Sequence, residues 1–213
     1  MIRNLKALGL ALLAIFATSA VAASAASANP QFFSEMEDTT LTGSQGLAMA
    51  NILTTDLGEL KCNVARFDGT MEPAETTTLT LKPTYEECKQ AGENAVVTLH
   101  GCSYLFHLGE NTETFEAKMD IECPDGEKIV IDTPECATTI PPQAGLGEVK
   151  FTNEGAAATR AIVADLKIGG IDYVEHGAGC PNETVTTNNG TYTGLITVKG
   201  ENAAEEHVGI WVE

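Results

Sequence analysis

The stretch that decides the fold is Gly101–Asp132, GCSYLFHLGENTETFEAKMDIECPDGEKIVID. Apolar side chains fall on even positions in its first segment (Cys102, Tyr104, Phe106, Leu108) and on odd positions in its second (Phe115, Ala117, Met119, Ile121, Cys123). Alternation with period 2 marks a half-buried strand. Antiparallel partners share a face, so an even position must lie opposite an odd one. A turn centred on Thr112 and Glu113 meets that condition. It sets Phe106 opposite Met119 and Tyr104 opposite Ile121, and brings Cys102 opposite Cys123 as a disulfide. Pro124-Asp125-Gly126 reads as a second turn, with Gly where the chain needs φ > 0. Pairing Cys123 with Glu127 then predicts Ile121 opposite Ile129 and Met119 opposite Ile131. A helix over Thr112–Ile121 would scatter Phe115, Ala117, Met119 and Ile121 around its axis. The stretch therefore reads as a three-stranded antiparallel meander with one apolar face.

Outward from the meander, Val97 and Leu99 place their apolar parity on odd numbers, and the flip at Gly101 predicts a bulge in one long strand. Upstream, Leu47–Leu53 and Leu60–Val64 read as strands around a turn at Asp56–Gly58, the second ended by Asp68-Gly69. TTTLTLK, residues 76–82, is a Thr-rich strand stopped by Pro83. Thr84-Tyr85-Glu86-Glu87 has capping-box spacing, with Gly92 available to close the C-terminus, and predicts one short helix near residues 84–91. Downstream, short strands are expected at Cys136–Ile140 and Glu148–Thr152. Residues 156–168 admit a helix, but the alternation of Ile162, Ala164, Leu166 and Ile168 favours a hairpin turning at Gly169-Gly170. Tyr192–Val198 and His207–Val212 form a closing hairpin around Gly200-Glu201-Asn202. Ten to twelve short strands with regular turns predict an all-β antiparallel fold, a β-sandwich or jelly-roll-like arrangement.

The chain opens with MIRNLKALGLALLAIFATSAVA: a basic start (Arg3, Lys6), an apolar run from Leu8 to Ala17, then small residues. This is the pattern of a secretory signal peptide over residues 1–22, with a later cleavage option at Ala26-Ser27-Ala28. The expected organisation is a leader at 1–22, a loose N-terminal arm or edge strand at 23–46, and a single β domain at 47–213. The formal charge of −18 becomes −20 once Arg3 and Lys6 are removed. Such a surface suits neither nucleic acid nor anionic membrane, and leaves an extracellular protein or glycan as the kind of partner to expect. Once the leader is removed, nothing in the sequence predicts membrane insertion.

Six cysteines stand at 62, 88, 102, 123, 136 and 180. In a secreted chain an even count without CxxC spacing reads as three disulfides. Cys102–Cys123 follows from the register. Cys88 is expected to tie its segment to Cys62, which leaves Cys136 for Cys180.

No catalytic constellation emerges. Ser44 in GSQG lacks nucleophile-elbow spacing, and alternation turns Ser103 away from the apolar face. His100, His107, His176 and His207 form no metal-binding spacing. Asp120, Glu122, Asp125 and Glu127 gather round the Pro124 turn and offer carboxylates to Ca²⁺, but without the ordered ligand series of a calcium loop. Asn182-Glu183-Thr184 and Asn189-Gly190-Thr191 match the glycosylation sequon. The sequence thus predicts no catalytic, cofactor or metal residue, and an extracytoplasmic non-catalytic domain with a structural or binding role. The alternative is a secreted hydrolase that uses carboxylates or a discontinuous metal site.

Overall fold

The computed structural model describes residues 29–213 apart from 47–48, 157–158 and 183. The signal peptide expected at 1–22 lies outside the described residues. What is described is antiparallel β structure, sandwich-like and stapled by three disulfides, with no α-helix among the described residues. No helix among them is long and apolar enough to cross a membrane.

Four long strands carry the architecture: β4 (Gly58–Met71), β6 (Thr78–Gln90), β13 (Ala161–His176) and β14 (Thr186–Glu201). Shorter strands fill the gaps between them at two levels. One level holds β2 (Thr39–Gln45), β8 (Ser103–Leu108), β9 (Glu116–Glu122) and β12 (Gln143–Glu154), and the other β3 (Ile52–Thr55), β7 (Glu93–Thr98), β10 (Ile129–Asp132) and β11 (Ala137–Ile140). Hydrogen bonds run from β6 through β8, β9, β12, β13, β14, β2 and β4 back to β6. A second circuit passes through β7, β10, β11, β13, β14, β3 and β4. The sheet therefore closes on itself as two stacked rings sharing four staves, and closure leaves these strands without open edges. A separate three-stranded sheet joins β1 (Phe32–Ser34), β5 (Glu75–Thr76) and β16 (Ile210–Val212), while β15 (His207–Val208) pairs with the end of β14. Phe32 of this sheet meets Phe151 edge-on at 4.9 Å, and Phe151 meets Phe106 in the same way at 5.7 Å, so the small sheet caps the core.

The first half of the meander has the expected register: Tyr104 pairs Ile121 and Phe106 pairs Met119. The second half does not. β9 takes β12 on its free side, with Ile121 opposite Gln143 and Met119 opposite Leu146, while β10 pairs with β7 and β11. The Pro124 turn is formed, closed by the Glu127 N–H to the Pro124 carbonyl at 2.9 Å. It carries the chain from one ring to the other instead of folding it back on β9. Ile129 and Ile131 are still buried in the shared core, so alternation predicted the face correctly and the partner wrongly.

Two further corrections share a cause, a change of parity inside a continuous strand, and the rest have causes of their own. The helix expected near 84–91 is part of β6: buried positions run 79, 81, 83 and then 88, 90, and the change of face falls at Glu87 (φ +54), opposite the same change between Cys62 and Ala65 on β4, with the β4–β6 register unbroken. Pro83 does not stop β6, because between Lys82 and Glu87 β6 is paired on one side only, with β4. Likewise the hairpin expected at Gly169-Gly170 is a bulge within β13: Gly169 pairs Thr191, Ile171 pairs Gly190, and Gly170 takes φ +74. Asp68-Gly69 does not end β4, since a side chain at Gly69 would strike the Thr80 carbonyl of β6, and glycine is what lets the strands approach. The parity change at Gly101 is a turn, with the Cys102 N–H bonded to the Leu99 carbonyl at 2.8 Å, and β7 and β8 lie along the same edge of β6 on either side of it. The segment read as an arm or edge strand supplies β1 and β2.

Candidate functional site

The disulfides pair as expected: Cys62–Cys88, Cys102–Cys123 and Cys136–Cys180. The first links directly opposed positions of β4 and β6. No thiol is free among the described residues.

The residues weighed for chemistry in the sequence are not gathered together. His107 Nε2 lies 2.9 Å from Asp120 Oδ2, and Asp120 Oδ1 accepts the Gly145 N–H at 2.6 Å, so this carboxylate is already engaged. Glu127 faces His100 at 3.6 Å. Glu122 and Asp125 are exposed, as are His176, His207 and Ser44. Among the described residues no three His, Cys, Asp or Glu side chains come together as a metal would require. Both sequon asparagines are occupied: the Asn182 amide donates to Asp56 Oδ2 at 2.5 Å and the Asn189 amide to Asp56 Oδ1 at 2.9 Å. The Tyr173 hydroxyl donates to Asn189 Oδ1 at 2.7 Å and accepts the Asp56 N–H at 2.9 Å. These donors, the Asn189 amide foremost, hold the Asp56 carboxyl below the usual carboxylate range.

The concave feature lies inside the rings. Leu53, Leu60, Ile121, Ile129, Ile131 and Ile171 line a chamber that leaves about 30 Å³ for the centres of water molecules, room for about two waters or a small ligand. Three tyrosines meet in it from three strands. Tyr85 of β6 places its hydroxyl 3.0 Å from that of Tyr104 on β8 and 2.8 Å from that of Tyr192 on β14. Three hydroxyl protons serve two hydrogen bonds, so one donor of the trio is left over. Asn51, just before β3, lines the same chamber, is 4 % exposed, and among the described residues has no partner for either its amide nitrogen or its carbonyl oxygen. Gly194 of β14 makes space for it, since a side chain there would overlap Asn51 Oδ1.

Burial pushes the Tyr104 phenol up to about 12, the hydrogen bond from Tyr85 partly offsetting the shift. Tyr85 and Tyr192 are driven well above the ordinary phenol range, chiefly by burial and then by the neighbouring tyrosines. All three stay neutral at physiological pH, and no charged side chain lines the chamber. It offers hydrogen bonds without charge, inside an apolar wall.

Alternation had placed Tyr104 on the buried face, but it gave no sign that Tyr85, assigned to a helix, and Tyr192 would meet it. Comparison with protein families, curated proteins and solved structures finds no match to the chain.

Proposed function

We propose that this chain is an extracytoplasmic, non-catalytic binding domain that holds a small uncharged ligand in the chamber of Tyr85, Tyr104, Tyr192 and Asn51. The compartment is supported by the leader pattern and by three disulfides, which persist in oxidising surroundings. One observation carries the binding role. Asn51 is buried against apolar side chains with both ends of its amide unpaired, and an unpaired buried polar group costs about 1–3 kcal/mol. A ligand, or ordered water that a ligand displaces, returns those bonds.

The chemistry of the wall defines the ligand class. A spare hydroxyl proton and a free primary amide, in a space of about two waters, suit a neutral molecule of about two or three heavy atoms that can donate and accept, such as methanol or formamide. A carboxylate or ammonium would enter with no counter-charge and is disfavoured.

The test is a titration of the ¹⁵N-labelled chain with methanol and formamide, followed at the Asn51 side-chain amide, with formate as the charged control. Saturable shifts at Asn51 with either neutral probe, a rise in Tm, and loss of both in Asn51→Leu are expected. No saturable shift with either probe, or equal binding of formate, would overturn the reading.

A further inference from the structure

One step along the interior from the chamber, the wall turns polar. Thr55, Gln90, Thr138 and Glu175 are the inward-facing neighbours of Leu53, Cys88, Ile140 and Tyr173 on β3, β6, β11 and β13. Gln90, Thr138 and Glu175 are each 0 % exposed. Glu175 Oε1 accepts the Leu57 N–H at 3.1 Å, whereas Oε2 has no partner. Gln90 spends its amide hydrogens on Thr55 Oγ1 at 3.1 Å and the Gly58 carbonyl at 3.5 Å, which leaves Oε1 without a partner. Thr138, directly opposite Glu175 in the β11–β13 ladder, has an unpartnered Oγ1. Three buried oxygens, on inward-facing residues of β6, β11 and β13, therefore lack partners among the described residues, and one belongs to a carboxylate. Among the described residues Glu175 has no ion-pair partner.

We propose that this layer, Glu175 Oε2 with Gln90 Oε1 and Thr138 Oγ1, is a binding site for a hard metal cation. A buried carboxylate without counter-charge is costly by several kcal/mol. Water would supply donors but no charge, whereas a cation satisfies oxygens and charge together. All the available atoms are oxygens, the preference of Ca²⁺ and Na⁺ rather than of zinc or copper. With a single carboxylate the charge count is low, which sets a weak site, saturating for Ca²⁺ near the millimolar levels of extracellular modules. An open cleft of about 230 Å³ lies beside the layer, lined by Leu57 and Gln90 together with Cys136 and the carboxylate-bearing Glu93 and Glu135. Those acids, on a chain of net charge −18, raise the local cation concentration.

The test uses the full disulfide-bonded chain, stripped with chelator and dialysed into choline chloride at fixed ionic strength. Calorimetric titration with CaCl₂, and Tm measured against CaCl₂ or NaCl, read out binding. One saturable site with a Tm rise is expected for at least one of the two ions, and the arm that responds identifies the ion. Glu175→Gln abolishes the saturable response, while Glu122→Gln/Asp125→Asn, at the exposed acidic turn, leaves the stoichiometry at one. Gln90→Glu adds a second carboxylate and tightens Ca²⁺ binding at least tenfold, a readout that stands even where Glu175→Gln does not fold. Absence of any response beyond choline, an unchanged response in Glu175→Gln, or no tightening in Gln90→Glu would overturn the proposal.

Discussion

Removing the middle hydroxyl of the tyrosine trio should cost more than removing either end. In Tyr85→Phe both hydrogen bonds go, those at 3.0 and 2.8 Å, and the Tyr104 and Tyr192 hydroxyls are left buried without each other's help. Two net hydrogen bonds at about 1 kcal/mol each, plus part of the penalty for two stranded hydroxyls, give a loss of about 2–4 kcal/mol. Tyr104→Phe or Tyr192→Phe removes one bond and leaves Tyr85 paired with the other partner, a loss of about 1 kcal/mol. The triple phenylalanine variant strands no hydroxyl, and replacing all partners by apolar groups of the same shape is nearly neutral. It should therefore be more stable than Tyr85→Phe alone. Urea unfolding at unchanged m-value measures all four, since equal m-values make the midpoints comparable. If Tyr85→Phe costs no more than the end variants, or if the triple variant is the least stable, the hydroxyls do not act as a chain and the argument fails.

Alkaline pH should unfold the chain through the same residues. The folded pKa values of Tyr85, Tyr104 and Tyr192 are raised, so their stabilising contribution is complete below the unfolded value near 10 and is lost as pH rises through the folded values. For Tyr104, a shift from 10.0 to about 12 corresponds to roughly 3 kcal/mol at most. Phenolate absorbance at 295 nm should thus appear only together with loss of the near-ultraviolet dichroism, and titration of the trio in the folded state would contradict this. Asp56 works at the opposite end of the scale: its lowered pKa contributes stability above the unfolded carboxylate range, lost as pH falls below about 4, and Asp56→Asn should lack that acid dependence. Gly194→Ala should displace the Asn51 side chain and destabilise, whereas in Asn51→Ala/Gly194→Ala most of that loss should return, a coupling that a double-mutant cycle in urea measures. Cys62→Ala/Cys88→Ala opens a bridge of sequence separation 26 and should cost about 3 kcal/mol, read as a lowered urea midpoint.

Fold class and the Cys102–Cys123 bridge were legible because they depend on local parity. Cys102 and Cys123 sit at matching ends of two alternating segments, so the register that buries Phe106 and Met119 also joins the sulfurs. What local parity cannot convey is a strand that changes parity without ending. At Glu87 and Gly170 one residue takes positive φ and the buried face moves to the other numbering class. From sequence, such a slip looks like the end of one element and the start of another, and so β6 resembled a strand plus a helix and β13 a hairpin. Pro83 reinforced the first error, since a proline is incompatible only with a strand paired on both sides, and the sequence does not say that one side of β6 is unpaired there.

The interior site was hidden for a different reason. Tyr85, Tyr104 and Tyr192 stand on β6, β8 and β14, and although β8 neighbours β6, β14 reaches it only through β4 with β2 or β3, or around the rest of a ring. Closure brings β14 face to face with β6, and the two staves that change parity set which levels coincide. In β6 the slip at Glu87 lies between Tyr85 and Gln90, so both residues point inward though one is odd and the other even. In β13 the slip at Gly170 does the same for Ile168 above and Glu175 below. Without these changes the alternation that buries Leu79 and Leu81 would turn Gln90 outward, and that burying Leu166 and Ile168 would turn Glu175 outward. The unpartnered oxygens of Gln90 and Glu175 in the polar layer thus owe their burial to two changes of parity, at Glu87 in β6 and at Gly170 in β13. Straightening β13 by deleting Gly170 should expose Glu175 and remove the cation response while the ladder from Ile162 to Ile168 persists in hydrogen exchange.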